Sequence, residues 1–445
     1  MAGSGCVGRA LKSEADTPLF GPGVMKLADV RFIEGRDPET IRPEIPKPLG
    51  SEKAAKAEKG ERCYYVLTAR QCQALAAANA VWGNILDEES ELAAAVVGRG
   101  RTPRARSAAL QSDLLRYSAL SERNRAAADA LELFYRLAEA ESHWDLCQSA
   151  LEWMEKAEGK KDGSEATVSS ASGNAEEKDE KTPERRSQSS SENVLSERWA
   201  AQRERWQRRQ EEAEQRIEKI NSRLRPMLGG ELGDFRRIWP SAALAVSPQK
   251  IDVEKAVQHG LEERAELRAL RRLLRGIDAN DLSAVRHTLE QWHPALGSTP
   301  SRFPALAQAL GTAPQHMEAA TREEQIRFLL SRREKEVEEE IRQAARQAQT
   351  ALEELVQTHQ AYLATREVQG KRDARSSDQK ESGSAREEND SQKAAPLAYY
   401  EAQAELVSRV VAWKIAEVRL LEAVGVLARE SGYPLPEDAW QGIEP

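Results

Sequence analysis

The sequence has no apolar stretch long enough to cross a membrane as a helix, and it is poor in aromatic residues. Its longest apolar runs, 74–82 and 92–97, are shorter than the ~18 residues that a spanning helix needs. Phe, Trp and Tyr make up 5% of the 445 residues, whereas Asp, Glu, Lys and Arg make up 31%. This composition is typical of long helices and argues against a sheet-based enzyme.

The chain also lacks the residue patterns of common catalytic and metal sites. No P-loop, G-x-S-x-G or paired CxxC motif occurs. The four cysteines have no metal-type spacing and the six histidines are scattered, so we predict no metal, no cofactor and no catalytic residue. Cys63 and Cys72 either pair in an oxidising compartment or stay buried as free thiols. The net charge of −8 gives no reason to expect a nucleic-acid partner.

Apolar residues instead recur every seven positions along segments that are otherwise charged. A seven-residue repeat on a charged helix produces one narrow apolar stripe, the seam at which helices pack in a coiled coil. Such a stripe cannot bury itself, so other helices must cover it. The seam residues that we predict to pack against other helices are Trp199, Trp206, Ile220 and Met227 in the first half, and Val411 and Val418 in the second.

The same order of elements occurs twice along the chain. Each half contains a medium helix, a very long helix, a low-complexity insert and a long returning helix. The returning helices end alike, with the segments 223–229 and 419–425 both reading Arg-Leu, three further residues, an aliphatic residue and Gly. The openings of the two halves align more loosely, 68–80 against 252–265. We therefore predict an internal duplication of a helical hairpin.

This duplication defines the predicted organisation of the chain. Segments rich in Pro, or in Ser, Glu and Lys, cannot bury enough apolar surface to order themselves. We predict a disordered N-terminal segment (1–62), a first helical-hairpin repeat (63–245) with a disordered insert (159–193), a second repeat (246–430) with a disordered insert (370–394), and a C-terminal tail (431–445).

The duplicated hairpins resemble the TolC-like outer-membrane efflux protein family. The segment 67–79 is similar to the first helix of that family, and 130–141 to its long periplasmic helix. The segment 260–267 is similar to the family's "ALxxRPEL" helix, with Ala265 where Pro is usual. The two Arg-Leu-to-Gly helix ends complete the resemblance, which covers about residues 63–430.

The resemblance implies an all-α fold of long antiparallel hairpins and a homo-oligomer, a trimer, whose helices form a periplasmic tunnel. It further implies a non-catalytic efflux or export conduit in the cell envelope, outer membrane-associated or periplasmic. The partners expected from it are a periplasmic adaptor protein and an inner-membrane pump. The alternative, which needs no such relationship, is a structural coiled-coil scaffold or interaction protein with no transport role.

Two features depart from the pattern of the family. Family members carry two membrane strands in each half, and a spanning strand needs ~9–11 residues of alternating polarity. The corresponding segments, 98–106 and 278–314, show no such alternation. We therefore expect the β-barrel strands to be absent or vestigial. The tight turns that dock the adaptor in the family are here replaced by the two inserts.

The N-terminus offers one further candidate site. Ser4-Gly5-Cys6 resembles the end of a bacterial lipoprotein signal, in which the cysteine is lipidated. The alternative is an inert flexible segment. If Cys6 is lipidated, this anchor is the only membrane contact that we expect.

Overall fold

The computed structural model describes most of the two predicted repeats. The described residues are 33–34, 64–97, 103–165, 184–229, 237–241, 250–277, 282–292, 314–381 and 390–433, together with Leu244, Val246, Leu296 and Pro436. Cys6, Cys63 and the central parts of both predicted inserts, 166–183 and 382–389, lie outside these residues.

Ten helices and four short strands make up the described part of the chain. The strands are β1 (Ile33–Glu34), β2 (Tyr64–Thr68), β3 (Arg237–Ser241) and β4 (Lys250–Ile251). The helices are α1 (Ala69–Ala78), α2 (Val81–Val97), α3 (Pro103–Glu165), α4 (Glu184–Met227), α5 (Val253–Glu263), α6 (Ala265–Gly276), α7 (Leu282–Trp292), α8 (Pro314–Glu381), α9 (Asp390–Val424) and α10 (Leu427–Glu430). The predicted all-α fold of long helical hairpins is confirmed.

The first helix of each repeat begins at a side-chain cap. Thr68 and Gln71 form a capping box, in which the Thr68 hydroxyl accepts from the Gln71 N–H at 3.2 Å and the Gln71 side chain accepts from the Thr68 N–H at 2.9 Å. Asp252 accepts from the Lys255 N–H at 3.1 Å. Both caps satisfy backbone donors that no helical carbonyl can reach.

Four long helices, α3, α4, α8 and α9, form the body of the molecule. α3 and α4 make the first hairpin and α8 and α9 the second, and α3 packs on α9 to join them. The short helices α1, α2 and α6 lie on α3, while α5 and α6 also pack on α8. One apolar core runs through both hairpins, and its fully buried members include Phe134, Leu224, Ile341 and Leu420.

The strands tie segments that are distant in sequence. β2 pairs in parallel with β3, with Leu67 opposite Pro240. β1 pairs antiparallel with β4, so Ile33 lies opposite Ile251. The predicted disorder of 1–62 is therefore wrong for Ile33–Glu34, because a β-ladder with a distant strand supplied backbone partners that a local reading of this Pro-rich segment could not anticipate.

The long helices extend further than the sequence analysis predicted. α3 continues to Glu165 and α4 begins at Glu184, while α8 continues to Glu381 and α9 begins at Asp390. Each of these ends lies inside a predicted insert. Once a helix is nucleated, every added residue gains one backbone hydrogen bond, so charged residues with good helix propensity extend it without any core contact.

The two segments where the family places membrane strands are only partly described. Helix α7 lies within 278–314, and α3 begins at Pro103 within 98–106. The rest of both segments lies largely outside the described residues, so the missing membrane strands stay a prediction. None of the described helices is both long and apolar enough to cross a membrane.

Candidate functional site: a layer of four long helices

The long helices lie side by side in the order α4, α3, α9, α8. α3 and α9 are covered on two sides by long helices, whereas α4 and α8 form the two edges. Within the described residues the edge helices have no extensive contact with each other. Within the described residues, the four long helices therefore form an open layer with two edges.

The predicted seam residues lie where the helices of this layer meet. Trp206, Val411 and Val418 are buried, and Trp199, Ile220 and Met227 are half-buried. In the first hairpin, Trp199 of α4 packs edge-on against Trp153 of α3, with ring centroids 5.7 Å apart. In the second, Val411 and Val418 belong to the main core.

The two closing helices end in equivalent contacts. The Asn79 side chain, at the break between α1 and α2, donates to the Leu228 carbonyl at 2.9 Å. The Arg264 guanidinium, at the break between α5 and α6, donates to the Ala423 carbonyl at 2.9 Å. Both contacts satisfy a carbonyl that the helix end leaves without a partner. The segments containing Asn79 and Arg264 are those that align between the two halves of the sequence.

A polar cluster lies at the contact between the two hairpins. Ser408 of α9 donates to a Glu139 carboxylate oxygen of α3 at 2.7 Å, and its hydroxyl lies 3.2 Å from His143 Nε2. The same ring nitrogen is 3.2 Å from the Ala404 carbonyl. Burial lowers the pKa of His143 below its ordinary value, against the opposing effects of Glu139 and the Ala404 carbonyl. The carboxylate contacts the serine and not the imidazole, so this is not the arrangement of a catalytic triad.

Arg419 adds ion pairs to the contact between α3 and α9, closer to the C-terminal end of α9. Arg419 of α9 binds Glu132 and, at 3.2 Å, Asp129, both on α3, as well as Glu422 of its own helix at 2.6 Å. Burial raises the pKa of Glu132, but the hydrogen bonds and charges of Arg136 and Arg419 outweigh it and hold that pKa below its ordinary value. The two hairpins are thus joined by fixed charges as well as by apolar packing.

Several large apolar side chains remain exposed. Phe328 on the edge helix α8 is 72% exposed, and Val81 and Trp82 at the start of α2 are 68% and 66% exposed. Ile85 and Leu92 continue the exposed apolar positions along α2. A group of exposed apolar side chains is more often a surface that binds a partner than a single exposed side chain is.

The two cysteines within the described residues are buried and form no disulfide. Cys72 and Cys147 are buried free thiols, and burial raises the pKa of Cys147 to about 11. The Cys72 thiol lies 3.5 Å from the Ala130 carbonyl of α3. Cys72 therefore corresponds to the second alternative left open by the sequence, a buried free thiol.

No motif in the sequence indicates the polar cluster around His143. Glu139 and His143 belong to the first repeat and Ser408 to the second, and the two parts come together only because α3 and α9 meet in the tertiary structure. The contacts of Asn79 and Arg264 had a signal, the alignment of the two openings, but only coordinates reveal that both residues bind helix ends.

Comparison with known proteins gives a result for the fold alone. Neither a protein-family model nor a curated protein matches this sequence. Among solved structures, the CmeC outer membrane channel of Campylobacter jejuni is 11% identical, with a TM-score of 0.50 over 95% of this chain and 97% of that one. The fold of this chain is similar to that of the CmeC channel.

Other solved structures of the same kind are similar at lower scores. CusC is 11% identical with a TM-score of 0.49, over 87% of this chain and 99% of that one. VceC of Vibrio cholerae is 11% identical with a TM-score of 0.43, over 79% of this chain and 92% of that one. The TolC-like resemblance predicted from the helix motifs is confirmed at the level of the fold.

Proposed function

We propose that this chain is a non-catalytic component of an efflux or export conduit in the cell envelope. The observation that carries the proposal is the open layer of four long helices, whose edge helices α4 and α8 have no extensive contact with each other within the described residues. A layer with two free edges is suited to close with copies of itself into a ring. The similarity to CmeC, which is named as an outer membrane channel, supports the same function.

The finer parts of the proposal rest on the resemblance. We infer a trimer built from repeats 63–245 and 246–430, located at the outer membrane or in the periplasm. An adaptor protein and an inner-membrane pump are the inferred partners. Lipidation of Cys6 would anchor this assembly, and the membrane strands of the family would be reduced or missing.

A structural scaffold with no transport role is the second candidate function. Helix α7 favours it, because Leu282–Trp292 is helical within the segment where the family places membrane strands. A scaffold needs the same long hairpins and the same buried seams, but it needs no axial opening. The two functions therefore differ in the shape of the assembly.

The deciding experiment measures the oligomeric state and shape of the full-length chain. Sedimentation velocity gives the mass, and electron microscopy of the same sample gives the outline. A trimer with an axial opening is the expected result for the conduit. A stable monomer contradicts the conduit, and a closed rod with no opening supports the scaffold instead.

A substitution on the edge helix α8 tests whether self-association uses this surface. Phe328→Glu places a charge on a side chain that is 72% exposed, so the fold of one chain is expected to survive. The trimer is expected to dissociate at least tenfold more readily, because association would bury the new carboxylate. Phe328→Leu keeps an apolar side chain and is the matched control. An unchanged sedimentation profile for Phe328→Glu would exclude this part of α8 from the interface.

A further inference from the structure

A cavity of about 700 Å³ lies apart from the helix seams, between α2, α3, α6 and α7. The buried side chains of Tyr117 and Leu270 form its floor, and exposed Ser118, Ser121 and His287 form its rim. Its volume falls in the range of cavities that hold small organic ligands. The proposed conduit function makes no use of this space.

The walls of the cavity combine apolar and polar side chains. Leu86, Leu114 and Leu115 contribute half-buried aliphatic surface. Gln111 and Thr288 add hydrogen-bonding groups near the rim. A lining of this kind is complementary to an amphipathic molecule, because a purely polar ligand would leave the leucines without contacts.

Two carboxylates face the cavity, and their surroundings differ. Glu266 is half-buried, and its Oε1 accepts from Arg264 at 2.6 Å and from Arg333 at 3.1 Å. Two arginines therefore offset its charge. Glu122 is also half-buried, but no basic side chain pairs with it among the residues that the structure describes. Glu122 is thus the lining group whose negative charge lacks a partner there.

We propose that this cavity binds a small amphipathic amine. The ammonium group pairs with Glu122, and the apolar body of the ligand lies against Leu114 and Leu270. A partly desolvated carboxylate gains more from a cationic donor than from water, since charge-assisted hydrogen bonds are about twice as strong as neutral ones. This inference does not depend on the proposed conduit, and its outcome leaves that proposal unchanged.

The test uses two fluorescent probes with the full-length chain. Dansylcadaverine carries a dansyl ring on a primary amine, and dansylamide carries the same ring without the amine. The amine is expected to bind saturably, with an emission shift to the blue, and at least tenfold more tightly than dansylamide. Equal affinities, or no saturable binding of either probe, would overturn the proposal.

Three variants test separately whether binding depends on the charge of Glu122, on the open volume of the cavity, or on non-specific attraction of the amine to carboxylates. Glu122→Gln is expected to weaken binding of the amine about tenfold and to leave dansylamide unchanged. Ser118→Trp fills the rim from an exposed position and is expected to abolish binding of both probes. Glu155→Gln, which removes an exposed carboxylate on the same helix that pairs with Arg203 outside the cavity, is the control for loss of a negative charge. If Glu122→Gln binds the amine like the unmodified chain, or if Glu155→Gln weakens it equally, the proposal is wrong.

Discussion

Gly229 and Gly425 lie in the same left-handed backbone conformation, with φ of +86° and +90°, at the ends of the two closing helices. The Gly425 N–H donates to the Leu421 carbonyl at 3.0 Å, which closes the last turn. A Cβ at Gly229 would lie 2.8 Å from the Asn79 side chain, and one at Gly425 would lie 3.1 Å from that of Arg264. Both positions thus need glycine for conformation and for space.

Replacing Gly425 tests this requirement. Gly425→Ala is expected to lower the free energy of unfolding by about 1–2 kcal/mol, because a side chain disfavours a positive φ. Gly370→Ala is the matched control, since Gly370 is within α8 and no atom lies within 4 Å of an added Cβ. It is expected to stabilise the protein by about 0.5–1 kcal/mol. Urea denaturation measures both, and equal effects of the two variants would contradict the argument.

His143 makes stability depend on pH. The groups that face it are Glu139 on its own helix, Glu405, Ser408 and the Ala404 carbonyl on α9, and Arg216 on α4. Its folded-state pKa is lowered by burial, so below about pH 6.5 the unfolded chain binds a proton that the folded chain does not. The free energy of unfolding is therefore expected to fall as the pH drops from about 6.5 to the lowered pKa of His143 in the folded chain.

The His143→Gln variant isolates this contribution. It keeps a hydrogen-bonding side chain but cannot titrate, so the slope of stability against pH between about pH 6.5 and 5 is expected to become shallower. His287→Gln, at an exposed position on α7, is the control for replacing a histidine with glutamine. Denaturant titrations at several pH values measure the slope. Identical slopes for His143→Gln and the unmodified chain would show that His143 does not titrate differently on folding.

At the scale of single elements, α4 is a charged helix held by a narrow apolar stripe. Its buried positions, Trp206, Ala213, Ile217 and Leu224, are seven, four and seven residues apart, which places them on one face of the helix. The seven-residue repeat in the sequence predicted this stripe, because a helix that packs on one neighbour repeats its buried face about every two turns. The partner, α3, was not predictable from the stripe itself.

The stripe of α4 gives a direct test at Trp206. Trp206→Asp is expected to lower the free energy of unfolding by about 4 kcal/mol or more, since it removes a large buried side chain and adds a charge. Gln207→Asp introduces the same charge at the exposed neighbouring position and is expected to change stability by less than about 0.5 kcal/mol. Thermal denaturation of both variants measures this difference in stability. Equal melting temperatures would show that the stripe is not a stabilising contact.

For the whole molecule, the layer of long helices predicts an elongated particle. α8 contains 68 residues, which at 1.5 Å per residue corresponds to about 100 Å. A compact domain of 445 residues would have a radius of gyration near 22 Å. Small-angle X-ray scattering is expected to give a maximum dimension of about 100 Å or more. A radius of gyration near that of the compact domain would contradict the extended layer.

Features that depend on neighbouring residues could be predicted from the sequence, whereas contacts between distant segments could not. The similar ends of the two closing helices at Gly229 and Gly425 were predicted because neighbouring residues determine them. The pairing of Ile33 with Ile251 was missed, since that contact joins segments far apart in the chain. The cavity beside Glu122 was missed for the same reason, because four helices build it.

The sequence by itself determined the long helices, their apolar stripes and their terminal glycines, because each depends on interactions within a few turns of one helix. Only the tertiary structure decided the order of the helices in the layer, the polar contact of His143 with Ser408, and the placement of Asn79 and Arg264 on the helix ends. A stripe requires a partner but does not specify which helix supplies it. That choice depends on how all the stripes are buried together.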